Sequence, residues 1–286
     1  MQSEEQKNWM DLVDHWLFLT MQDLLQKYNR EPLDCNTQKN VVAVDQKIPI
    51  WICWWQGIDQ APELVKKCIA SVERYAPQDC TEIRLITFEN YMEYVTFSDV
   101  IAQRFNDGKI TLTHLSDILR AKLLYQYGGL WLDATYFISD ARFEKIFEKN
   151  FYTIKAGGMT WSGDYLVRGR WSGNFMLLPK GHALAGFLVD AFERYWSVRD
   201  TLMDYFLIDF LIKLAYEYIP DVHRQIEECP VGNTQFLRLM ESINMAYDEE
   251  IWQELQSDTL AHKLSYKEKL NLWDEQGRET FYSKVL

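Results

Sequence analysis

Apolar positions along the chain switch repeatedly between a helical period and short continuous runs, the pattern of an α/β protein. Trp9, Val13, Trp16, Leu17, Leu24 and Tyr28 fall at helical spacing and predict a helix over residues 9–28. Such a helix serves either as an interfacial or dimerising element or as one packed on its own domain. The second reading is preferred, because Asp11, Asp14 and Asp23 stand where a membrane-surface helix carries Lys or Arg. Residues 29–46 are polar and read as a connector. The run IPIWICWW, residues 48–55, is a strand closed by the loop signal Gln56-Gly57. Pro62 suits a first helical turn, and Val65, Cys68, Ile69, Val72 and Tyr75 give the following helix its buried face. Ile83, Leu85 and Ile86 predict a second strand over residues 82–87. Strand–helix–strand is how a nucleotide-binding sheet begins.

The stretch that organises the rest is THLSDILRAKLLYQYGGLWLDATYF, residues 113–137. Thr113 is a suitable N-cap. Leu115, Ile118, Leu119, Leu123 and Tyr127 form an apolar stripe, and Gly128-Gly129 stops the helix. Leu130, Trp131 and Leu132 read as a strand covered on both faces. Asp133 closes that strand. A carboxylate there is costly to bury without a cationic partner, and strand carboxyl ends are where open α/β sheets hold ligands. Asp133 is therefore placed to hold a metal or a sugar hydroxyl. On the helix before it, Asp117 and Arg120 are three residues apart and share a face.

Elsewhere the chemistry is open to two readings at each point. Trp54 or Trp55, in the loop after the first strand, stacks on a base or belongs to the core. Residues 89–109 read as helical, and residues 151–155 as a strand before the turn Gly157-Gly158. Trp161 and Trp171 line an acceptor site or are simply buried. Asn174, at the start of a strand over residues 173–178, is read from its place alone as a turn residue bonding its own backbone. A helix follows over residues 183–196. In Asp204-Tyr205-Phe206-Leu207-Ile208-Asp209, Asp204 caps a helix. Asp209 lies inside an apolar run and must find a partner or stay protonated; its role is a substrate contact or a structural salt bridge. The chain is helical in pattern with polar breaks from Pro220. His262-Lys263-Leu264-Ser265-Tyr266-Lys267 is a basic patch in an acidic chain, either a solvated tail or a group that closes over a diphosphate. A neutral imidazole is a ready metal ligand, and Lys a point charge for phosphate. His15, His114, His182 and His223 show no spacing that suggests a joint site.

Composition narrows the classes. With 42 acidic against 30 basic residues and a net charge of -12, the chain lacks the basic footprint of nucleic-acid binding. The charge also disfavours electrostatic docking to anionic lipid. Five cysteines without CxxC spacing fit neither a zinc framework nor a disulfide scaffold; reduced thiols in a cytoplasmic protein are expected. The acidic start MQSEEQKNWMD is unlike a secretory leader, and no apolar run reaches the length of about 18 residues expected of a membrane span.

SDILR, YGG and LDAT together resemble the donor-site segment of family 32 glycosyltransferases. They are most similar to the bacterial capsular polysaccharide synthesis proteins, which also carry segments like WWQG, DYFLID and HKLSYK. The resemblance implies a GT-A-like α/β fold with a mixed central sheet flanked by helices. Residues 1–46 would be a helical N-terminal extension and residues 47–286 the transferase domain, with a helical C-terminal part from about residue 220. It implies transfer of a sugar, with retention of configuration, from a UDP-sugar to a hydroxyl of a glycan or lipid-linked oligosaccharide. Asp117 and Arg120 would hold the donor sugar, and Asp133 the ribose and a divalent metal, Mn²⁺ or Mg²⁺. Asn174 and Asp209 would contact the donor sugar or the acceptor. Trp54, Trp55, Gln56, Lys263 and Lys267 would line the donor site, and Thr135 and His262 would assist at the metal. The family's Asp-x-Asp has Thr135 in its second position here. That departure keeps open a silent nucleotide-sugar-binding or scaffold protein; a glycosidase built on Asp117 and Asp133 is a weaker third reading. A homodimer and peripheral attachment at the inner face of the cell membrane are compatible with this assignment.

Overall fold

In a computed structural model describing residues 4–30, 47–158 and 166–286, the apolar runs become a mixed sheet flanked by helices. Helix α1 (Glu4–Arg30) precedes β1 (Ile48–Cys53), α2 (Glu63–Tyr75), β2 (Thr81–Ile86) and α3 (Asp99–Asn106). The central unit is α4 (Leu112–Tyr127) and β3 (Gly129–Leu132), followed by β4 (Tyr136–Ile138), β5 (Tyr152–Thr153) and β6 (Phe175–Leu178). Next come α5 (Ala183–Val198), α6 (Leu207–Tyr218), α7 (Pro220–Glu228), α8 (Arg238–Ser242) and α9 (Glu249–Gln256). Strand β7 (Ala261–Lys263) and helix α10 (Phe281–Val285) complete the order.

The sheet order is β2-β1-β3-β6-β5. Strand β1 runs parallel to β2 and β3, whereas β3–β6 and β6–β5 are antiparallel. Successive strand side chains point to opposite faces, and both faces are dry. Ile50, Ile52, Leu130, Leu132, Phe175 and Leu177 enter one core. Trp51, Trp131, Met176 and Leu178 enter the other, with α1, α4, α5 and α6. That double burial is why these strands read as continuous apolar runs.

Helix α1 belongs to this second core. Val13, Leu17, Met21 and Leu25 are buried, the helix packs on α5 and α6, and Asp14 pairs with Lys213. The helix thus lies on its own domain, as preferred from the sequence.

Three local expectations shift. Strand β1 ends at Cys53, so Trp54 and Trp55 fall in the loop beyond it. Thr111, not Thr113, caps α4: its hydroxyl accepts from the His114 N–H. Within residues 89–109 the helix is confined to α3, after a single 3₁₀ turn at Tyr91–Glu93, because Ser98 supplies a cap that interrupts the pattern. Trp161 lies outside the described residues.

The α4–β3 turn is set by glycine. Gly129 has φ +97°, and a Cβ there would run into the Pro49 carbonyl oxygen on β1. Gly129→Ala is therefore expected to lower stability by about 2–4 kcal/mol, combining left-handed strain with overpacking. A urea-denaturation midpoint equal to wild type would contradict this.

Candidate functional site

Strands β1 and β3 are parallel neighbours, so their carboxyl ends open on the same side, where β6 begins. A cleft of about 740 Å³ lies there, within the size range of small-molecule sites. Its floor comes from β3 and the residues after it, Trp131, Asp133 and Thr135. One wall comes from α4, through Ser116, Asp117 and Arg120. Trp171 and Asn174 before β6, Asp209 on α6, and Lys263, Tyr266 and Lys267 at the end of β7 complete it.

Asp133 is the hub. Its Oδ1 accepts from Trp131 Nε1 at 3.0 Å and from Arg120 Nη2 at 3.4 Å, and its Oδ2 accepts from Lys263 Nζ at 2.8 Å. Burial alone would raise its carboxyl. The Lys263 and Arg120 charges, with hydrogen bonds from Lys263 and Trp131, outweigh that and hold the pKa below the ordinary carboxylate value. Asp133 follows directly on β3, two residues after Trp131 in extended chain, so their side chains share a face. The main chain is held as well: Asp133 N–H donates to the Asn174 carbonyl at 3.0 Å.

Arg120 is the second anchor. Its Nη2 also reaches Asp117 Oδ1 at 3.0 Å, its Nη1 donates to the Gly173 carbonyl, and its guanidinium lies over Trp131, 5.1 Å from the ring centroid. The side chains of Arg120 and Asp117 are only 7% and 10% exposed, so each depends on the other. His114, for which sequence spacing suggests no joint site, lies behind the pair, three residues before Asp117 on α4. The Trp196 indole N–H donates to His114 Nε2 at 3.0 Å. An indole is only a donor, so the ring proton of the neutral imidazole sits on Nδ1, which is 3.6 Å from Asp117 Oδ2.

The remaining predicted residues divide. Trp55 is anchored: its indole N–H is shared by the Leu112 carbonyl and Ser116 Oγ, and Phe88 and Tyr91 pack on its ring. Trp54 stands edge-on to Tyr266 at 5.2 Å, and its buried indole N–H has no hydrogen-bond partner among the described residues. Gln56 and Lys267 are exposed at the rim. Asn174 Oδ1 accepts from Tyr136 Oη at 2.7 Å and Ser172 Oγ at 2.6 Å. Asp209 Oδ1 accepts from Trp171 Nε1 at 3.1 Å, the partner its apolar surroundings demanded. Asp204 Oδ1 accepts from the Phe206 N–H in the turn before α6; it does not cap the helix as expected, because the cap position falls on Phe206, which makes no side-chain cap bond.

His262 is not brought to Asp133. The HKLSYK patch is not a loose tail: its first residues form β7, paired antiparallel with β4, Phe137 opposite His262 and Tyr136 opposite Lys263. Neighbours on a strand face opposite ways. Lys263 therefore enters the cleft, while His262 is fully buried behind it, with Nε2 3.1 Å from Ser139 Oγ and Trp252 against its ring. Burial pushes its pKa down to about 4. His182, a helix cap buried beside Gln225, is pushed down to about 4 for the same reason. Unfolding returns both to about 6.5, so the unfolded chain binds more protons as pH falls between those values. Stability is then fully present above pH ~6.5 and declines toward pH ~4, by about 1.4 kcal/mol per pH unit per histidine at the steepest. Urea midpoints taken from pH 7.5 to 4.5 check this; a flat profile would contradict it.

Cys53 and Cys68 are pushed up to about 12 by burial, and Cys53, Cys68, Cys80 and Cys229 form no disulfide. No helix among the described residues is long and apolar enough to cross a membrane.

Comparison with known proteins agrees with the motifs. The family model described as "Capsular polysaccharide synthesis protein" matches residues 2–285. The O-glycosyltransferase braB of Annulohypoxylon truncatum is 27% identical over 96 residues, 31% of this chain and 23% of that protein. The glycosyltransferase afumC of Aspergillus fumigatus is 30% identical over 91 residues, 29% of this chain and 23% of that protein. The chain thus aligns with about a quarter of the length of these curated relatives. Among solved structures, the PaToxG glycosyltransferase superposes with a TM-score of 0.43 at 13% identity, covering 87% of this chain and 100% of that one.

Proposed function

Since the chain belongs to the capsular polysaccharide synthesis protein family, we propose that the cleft is the donor site of a GT-A-like glycosyltransferase. It transfers a sugar from a UDP-sugar to a hydroxyl of a glycan or lipid-linked acceptor in surface polysaccharide synthesis at the inner face of the cell membrane. The observation that carries this reading is the linked chain Asp117–Arg120–Asp133–Lys263, which fixes two carboxylates and two cations in the cleft.

The parts have distinct tasks. Trp54 and Tyr266 offer an aromatic corner for the uracil ring. Asp117 and Asp133, both held by Arg120, accept hydrogen bonds from ribose and sugar hydroxyls and orient the anomeric carbon. Lys263 and Lys267 meet the diphosphate, whose charge grows as the bond to the sugar breaks. In a retaining transfer the acceptor oxygen bonds to the anomeric carbon as the bond from that carbon to the phosphate oxygen breaks. The acceptor proton passes to the departing phosphate, so no separate base is required. A glycosidase needs a carboxylic acid of raised pKa; Asp133 is shifted the other way.

A panel of UDP-sugars assayed for UDP release, with and without glycan acceptors, tests the proposal. Acceptor-stimulated UDP release from one donor is expected. Binding without release would indicate the silent reading, and release of sugar from a glycan without UDP would indicate the glycosidase.

A further inference from the structure

The divalent metal expected beside Asp133 does not fit the residues present. An Asp-x-Asp site offers carboxylate oxygens to the ion. Here the second position is Thr135, whose hydroxyl is a weak neutral donor. His262 faces the other way. Both oxygens of Asp133 are taken, one by Trp131 and Arg120, the other by Lys263. No cluster of three metal-ligating side chains occurs among the described residues.

The point between Asp133 and Thr135 is nonetheless filled. Lys263 Nζ is 2.8 Å from Asp133 Oδ2 and 2.8 Å from Thr135 Oγ1, and lies over the Tyr136 ring at 5.3 Å. We propose that the Lys263 ammonium is a built-in replacement for the divalent ion, so that this chain binds the donor diphosphate without metal. The charges are consistent: a dication between two carboxylates and a monocation between one carboxylate and a hydroxyl leave the same net balance. A metal entering here would displace Lys263 from its only described carboxylate partner and meet the Arg120 charge on the far side of Asp133, a like-charge approach in a partly desolvated site. The lysine reaches its place by main-chain geometry, because the Tyr136–Lys263 register of the β4–β7 pair points it into the cleft. Its side chain is 21% exposed, and with two of its three ammonium protons given to Asp133 and Thr135 one is left for a phosphate oxygen.

The inference rests on the proposed donor site, and the test separates the two. UDP binding is measured by calorimetry on the whole chain, once in EDTA and once with excess Mn²⁺. Affinities equal within about threefold are expected. For Lys263→Ala in EDTA the affinity is expected to fall by at least about tenfold, whereas Lys263→Arg, which keeps the charge, is expected to retain most of it. UDP bound only in the presence of Mn²⁺ would overturn the replacement while leaving the donor site standing. No UDP binding under either condition would overturn both. Because the decisive comparison uses the wild-type protein, it stands even if a variant folds poorly.

Discussion

Asp133→Ala is expected to reduce sugar transfer by at least about 10²–10³-fold while the protein remains folded. The carboxylate touches two cations of the cleft, Arg120 at 3.4 Å and Lys263 at 2.8 Å. Without it Lys263 loses its anchor and Trp131 its acceptor. Arg120 keeps Asp117 and the Gly173 carbonyl, so the cost in stability is limited to about 1–3 kcal/mol. A melting curve and a UDP-release assay on the same preparation check both parts. Wild-type turnover in a folded variant would remove Asp133 from the mechanism.

Arg120→Met should act on the fold as strongly as on the chemistry. It strands Asp117, a carboxylate with a side chain only 10% exposed, and leaves the Gly173 carbonyl without its donor. Breaking a buried pair by removing one partner costs about 3–5 kcal/mol, a large part of the total stability of about 5–15 kcal/mol typical of a folded protein. Arg120→Lys restores the charge but not the planar fork that reaches Asp117, Asp133 and Gly173 at once. It is expected to recover part of the stability and little of the activity. Equal urea midpoints for wild type and Arg120→Met would contradict this account of the pair.

Much of this corner was legible in the chain. A helix, a double-glycine stop and an apolar strand must place Asp133 at a strand end. The spacing of Asp117 and Arg120 must put them on one helix face, and those rules are local. The resemblance already placed Lys263 at the donor site; what the local pattern does not give is its contact with Asp133, which is nonlocal and carried by elements too short to show a period. Lys263 is 130 residues from Asp133, and it arrives through a pair of three-residue strands. No hydrophobic pattern reveals their register, and a shift of one residue would have sent His262 into the cleft in its place. Trp54 and Trp55 are adjacent and identical in type. Ser116 and Leu112, which anchor Trp55 and leave Trp54 at the cleft, lie on another helix. Thr111 and Thr113 are equally good caps, and only the start of α4 distinguishes them.

The most direct measurement is a crystal structure of the protein soaked with UDP. The account predicts the uracil beside Trp54 and Tyr266 and the diphosphate against Lys263, with the vacant sugar position facing Asp117 and Arg120. UDP bound away from the carboxyl ends of β1 and β3 would contradict it.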